Sequence, residues 1–113
     1  MKAYTNIDQS KKLAEILPLE SADMCYVNDG TAIKIDANSY SVCYSMWKDS
    51  VVEIIPCWSL AALLDILSNG SMLVKTTDGK YCCLTKDVMT KHYDNPVDAC
   101  VDMILKLKER SLI

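Results

Sequence analysis

The chain reads as an α+β fold, an antiparallel sheet (meander plus hairpin) carrying three helices, and three observations predict it. Capped helical stretches stand near both ends and in the middle of the sequence. Between them, short apolar runs are divided by turn signals such as Asn28-Asp29-Gly30 and Asp78-Gly79, the pattern of hairpins. Strands and helices do not alternate regularly, so a parallel β-α-β sheet is not expected. The expected order is helix, four strands, helix, two strands, helix, in one domain over residues 1–113.

The first helix starts at Asn6, which can cap it while Gln9, three residues on, returns the bond as a capping box. Ile7, Leu13, Ala14, Ile16 and Leu17 gather toward one side, and Pro18 predicts a stop near Leu17. Met24 to Val27 then reads as a strand, followed by the Asn28-Asp29-Gly30 turn and a second strand containing Ile33 and Ile35. Tyr40, Val42, Tyr44 and Met46 alternate with Ser41, Cys43 and Ser45, a period of two that predicts a half-buried strand. Val51 to Ile55 is the fourth strand, ended by Pro56.

Ser59 is the expected cap of the middle helix, with Trp58 before it placed to staple onto Leu63. From Leu60 to Leu67 only Asp65 interrupts the apolar surface. A helix apolar nearly all round has to be covered on more than one side. Ser68-Asn69-Gly70 closes it, and a hairpin of Met72–Thr76 and Lys80–Leu84 follows. The last helix has Asn95 as cap and Pro96 in its first turn, with Asp98 and Asp102 toward its positive end and Lys106, Lys108 and Arg110 toward the other. Its apolar arc runs through Val97, Cys100, Val101, Ile104, Leu105 and Leu107, with the Lys108 stem expected to lie on the core.

Composition excludes several classes. Half of the 113 residues are apolar and the net charge is −3, an ordinary globular mixture. Residues 1–50 hold five lysines and seven acids, and residues 51–113 hold seven Lys/Arg and eight acids. No basic stripe stands ready to neutralise several phosphates, so nucleic-acid binding is disfavoured. The longest apolar stretch, Ile54 to Leu67, contains Asp65 and Pro56 and falls short of the roughly 20 residues that cross a bilayer. No signal-peptide core stands at Met1–Asp8. A cytoplasmic protein without membrane contact is expected, with the six cysteines reduced and buried as small apolar groups.

The chemistry-bearing residues are sparse. Cys57 is the candidate reactive thiol, because a helix beginning at Pro56 would set it in the first turn, where the dipole lowers a thiol pKa. The single imidazole, His92, would have to be joined to it by the fold. Cys82 and Cys83 are adjacent and would point to opposite strand faces, and no C-x-x-C spacing exists, so no metal site is assigned. Asp94, Asp98 and Asp102 share one helix side, which dipole compensation explains. Three glycines cannot write a phosphate loop,. No catalytic residue and no cofactor are assigned. The candidate binding surface is Trp58, His92, Tyr93 and Asn95, mixing aromatic and polar groups near two helix starts.

Three blocks carry a resemblance: Gln9 to Met24, Ile55 to Leu64, and Tyr93 to Cys100 leading into the last helix. Together they resemble a group of small uncharacterised proteins of gut Bacteroidetes genomes, often near prophage or other mobile elements. The blocks cover about half of the chain. The resemblance implies a bacterial cytoplasmic setting and an association with mobile DNA, and it transfers no reaction. The expected function is a non-catalytic protein-interaction or self-associating domain, with an unknown protein partner or a homodimer. The alternatives are a small thiol- or carboxylate-dependent enzyme and a nucleic-acid accessory protein using Lys86, Lys91, Lys106, Lys108 and Arg110.

Overall fold

Two small antiparallel sheets, rather than one, organise the computed structural model, which describes residues 2–67 and 69–113. Among these residues the helices are α1 (Ile7–Ala14), α2 (Tyr40–Trp47), α3 (Leu60–Ile66) and α4 (Pro96–Glu109). The strands are β1 (Met24–Asn28), β2 (Ile33–Asp36), β3 (Glu53–Cys57), β4 (Met72–Lys75) and β5 (Tyr81–Leu84), and a short 3-10 turn spans Leu19–Ser21. The first sheet runs β2-β1-β3 and the second β4-β5. The α+β class and both antiparallel hairpins hold. The expected third strand does not.

That segment is α2, a fourth helix. Ser39 caps it, accepting from the Val42 amide at 3.4 Å. The alternation of Tyr, Val and Met with small residues imitates a strand, but the least exposed positions, Tyr40, Cys43 and Trp47, follow helical spacing,. Val42, Tyr44 and Met46 are consequently left facing water. Cys43 is the only wholly buried residue of α2, and it is bonded to Cys25 of β1. The expectation of six reduced cysteines is therefore corrected for this pair, while Cys57, Cys82, Cys83 and Cys100 are free and buried. Disulfides persist in oxidising surroundings, so the cysteines no longer argue for a reducing compartment. Among the described residues no helix is long and apolar enough to cross a membrane.

The caps fall where the residues demand. Asn6 and Gln9 form the reciprocal capping box of α1. Ser59 accepts from the Ala62 amide at 3.2 Å and Asn95 from the Asp98 amide at 2.9 Å. Helix α1 ends at Ala14, short of Leu17, as the chain tightens through bonds from Ile16 and Leu17 back to Leu13. Ser68, part of the expected stop of α3, lies outside the described residues. Strand β3 continues through Pro56 to Cys57, because Pro56 sits where its missing N–H would point away from β1,.

The core gathers around α4 rather than α3. Pro96, Val97, Ala99, Cys100, Val101, Met103, Ile104 and Leu107 of α4 are all buried, which leaves that helix little free circumference. On α3, Leu63 is wholly enclosed and Leu67 follows it, but Ala61, Leu64 and Asp65 face outward, Leu64 at 42% exposure. The expected all-round cover of α3 is absent because Ala61 is small and a single leucine is left on the outer side. Lys108 is exposed and its stem is not part of the core.

Trp58 anchors the junction of β3 and α3. It is wholly buried, its Nε1 donates to Ser21 Oγ at 2.9 Å, and its amide donates to Thr5 Oγ1 at 3.2 Å. The Thr5 amide answers the Trp58 carbonyl at 3.0 Å. These bonds hold the N-terminal segment along the end of β3.

Helix α2 carries a buried Trp47 Nε1 without an acceptor among the described residues, and a covalent tie to β1. The Cys25–Cys43 bond closes a sequence separation of 18, for which loop-closure entropy gives about 3 kcal/mol. Urea unfolding of Cys25→Ser/Cys43→Ser is expected to show a loss of that size, matched by adding reductant to the unaltered protein. Equal midpoints with and without reductant would contradict the tether.

Candidate functional site

Two regions present groups that a partner could meet. The first lies between α1 and the start of α4, where two helix caps share one carboxylate. Lys2 Nζ donates to Gln9 Oε1 and to Asp98 Oδ1, each at 2.7 Å. Gln9 Nε2 donates to the same Asp98 oxygen at 2.8 Å, and Asn95 Nδ2 donates to Asp98 Oδ2 at 2.8 Å. One turn along α4, Tyr93 OH donates to Asp102 Oδ2 at 2.8 Å, and Lys106 pairs with Asp102 at 3.3 Å. A shallow cleft of about 180 Å³ opens here between Gln9, Tyr93, Asp98, Asp102 and Leu105.

Electrostatics make this seam a closed circuit. Burial alone would push the Asp98 carboxyl up, but bonds from Lys2, Gln9 and Asn95 outweigh it and hold the group below its ordinary value. Tyr93 is pushed up to about 12, first by burial and then by its bond to Asp102. The tyrosine thus remains a donor, and both carboxylates already have partners. The geometry joins α1 to α4.

The residues singled out from sequence are scattered. Trp58 is wholly buried and offers no surface, because its indole fills the junction described above. His92 is exposed, with Nδ1 3.8 Å from Asp78 Oδ2. Tyr93 lines the cleft, and Asn95 is committed as the α4 cap. Tyr93 and Asn95 each bond to a carboxylate of the seam, Asp102 and Asp98, while Trp58 and His92 lie apart from it. Cys57 lies at the end of β3, ahead of the α3 cap, and is wholly buried. Its sulfur bonds with Thr5, and burial pushes the thiol up. It has neither the helix-start position nor the access expected of a nucleophile. Cys82 and Cys83 are buried, and no group of three or more ligand-type residues is poised for a metal among the described residues.

The second region is the outer edge of β2. The Asp29 amide donates to the Ala32 carbonyl at 3.4 Å and closes the β1–β2 hairpin. Bonded pairs alternate from there, so Val27 with Lys34 and Cys25 with Asp36 exchange backbone bonds. The N–H and C=O groups of Ile33 and Ile35 must then point away from β1. Their side chains lie on the sheet face shared by Tyr26 and Ile55. Ile33 is 50% exposed and Ile35 40%. Among the described residues no strand pairs with this edge.

The opposite edge is protected. By the same alternation the outward groups of β3 are those of Ile54 and Pro56, and Pro56 has no N–H to offer. The N-terminal segment then covers the end of the strand through the Tyr4–Ser59 bridge. Pro56 could be read in advance as an edge marker. The contacts of Lys2 with Asp98 could not, since the two are 96 residues apart.

No protein-family model, curated protein or solved structure matches the chain.

The seam predicts a pH signature. Asp98 is held below the unfolded carboxylate value near 3.9, so its stabilisation is complete above that pH and lost as pH falls through the folded value. Asp98→Asn is expected to cost about 2 kcal/mol at pH 7 and to weaken the acid dependence of unfolding. Parallel stability–pH curves for the two proteins would contradict the assignment.

Proposed function

We propose that this chain is a non-catalytic interaction domain that associates with itself. The observation that carries the reading is the β2 edge, where two β-branched side chains and their unpaired backbone groups face water. An exposed edge is a template for another strand, and proteins that need no such contact blunt it with proline, bulges or covering segments. Here one edge of the sheet is blunted by Pro56 and the other is left open. Exposed Val42, Tyr44 and Met46 on α2 add apolar surface to the same half of the molecule.

The polar seam supports the same reading from the other side. Its carboxylates are engaged by Lys2, Gln9, Tyr93 and Lys106 and serve to hold helices. Lys106, one of the cations a nucleic-acid surface would need, is already paired with Asp102.

Sedimentation velocity over a wide concentration range tests the proposal. A reversible monomer–dimer equilibrium is expected, with dimer growing as concentration rises toward the millimolar range. A single monomeric species throughout would contradict it.

A further inference from the structure

The charges on β2 select one way for two copies to meet. Lys34 and Asp36 project from the sheet face opposite Ile33 and Ile35, next to Val27 and Cys25. Because Ile33 and Ile35 are the residues of β2 whose backbone groups face outward, an added antiparallel strand must place odd-numbered residues opposite odd-numbered residues. Three registers about a twofold axis satisfy this near the centre of the strand. Setting Ile33 opposite the partner's Ile35 puts Lys34 against Lys34. Setting Ile35 opposite the partner's Ala37 puts Asp36 against Asp36. Setting Ile35 opposite the partner's Ile35 puts Lys34 against the partner's Asp36, twice.

Resting on the self-association reading above, we propose that the occupant of the β2 edge is a second copy of this chain, in the register centred on Ile35. In it Ile35 exchanges both backbone bonds with its counterpart. The Lys34–Asp36 pairs fall at non-bonded positions, where side chains approach most closely. The Asn38 amide and side chain occupy Asp36 Oδ1, at 3.1 and 2.6 Å, which leaves Oδ2 for the ammonium. Ile33 and Ile35 of both copies form one apolar row on the other face. The two three-stranded sheets become one of six strands, and the only edges left are the two that carry Pro56.

The other open strand lacks this complementarity. The Thr76 amide bonds to the Lys80 carbonyl at 2.8 Å, so the outward groups of β4 are those of Leu73 and Lys75. Its single charge, Lys75, lies over the Tyr81 ring at 5.8 Å and has no acid on the strand to meet.

Charge reversal in the full chain decides the matter. Lys34→Asp and Asp36→Lys should each weaken the dimer about tenfold or more at low salt, since attraction is replaced by repulsion at two positions. The double variant Lys34→Asp/Asp36→Lys restores complementarity and should dimerise within about threefold of the unaltered chain. An equimolar mixture of the two single variants should form a heterodimer. Lys75→Asp should change nothing. If Asp36→Lys loses its fold with the Asn38 contacts, salt answers alone: added salt should weaken the unaltered dimer and strengthen that of Lys34→Asp. A dimer indifferent to all these changes overturns the register while leaving self-association standing. A monomer at every concentration overturns both.

Discussion

In an antiparallel strand each residue offers its backbone N–H and C=O to one neighbour only, and that alternation governs how this molecule meets its surroundings. The Asp29–Ala32 bond sets the phase of the β1–β2 ladder. Once it is set, Ile33 and Ile35 are committed outward and Lys34 and Asp36 inward. The same rule passes through β1 to β3, where it turns the one proline of the sheet to the outside. A single phase therefore leaves one edge closed and the other open. A shift by one residue would turn the charges of β2 to the face of Tyr26 and Ile55 and cost a bond at Pro56.

The remainder of the chain builds a platform behind that sheet. Trp58 links the N-terminal segment, the 3-10 turn and the start of α3 through its amide and indole bonds. Helix α4 takes the centre of the core, with Cys100, Met103 and Ile104 wholly enclosed. The Lys2–Gln9–Asp98–Asn95 circuit ties the α1 cap to the α4 cap. Partly buried charge-assisted bonds of this kind fix orientation, because an unpaired Asp98 would be left desolvated. The bonds that hold α1 to α4 and the open edge strand thus occupy different parts of the chain.

Local chemistry made much of this legible. The caps at Asn6, Ser59 and Asn95, the turns at Gly30 and Gly79, and the α+β class all follow from residues within a few positions of one another. The errors came where partners are distant. Tyr40–Met46 alternates like a strand, while its helical state shows in the Ser39 cap and in Cys43 meeting Cys25 of β1. Leu60–Leu67, apolar but for Asp65, reads as needing cover on more than one side, yet α4 is the enclosed helix because its buried positions face several elements at once. Of the expected binding residues, Trp58 is in the core, while His92 is exposed and Tyr93 and Asn95 are part-exposed, with Asn95 engaged as the α4 cap. The open edge went unread because Ile33-Lys34-Ile35-Asp36 gives no sign, by itself, of which neighbours flank it.

The most direct measurement of the edge account is residue-resolved amide hydrogen exchange at several protein concentrations. Lys34 and Asp36, bonded to β1, should be protected at every concentration. Ile33 and Ile35 should exchange quickly in dilute solution and slow down as the protein is concentrated. Equal protection of all four amides at low concentration, or fast exchange of Ile33 and Ile35 however concentrated the sample, would contradict it.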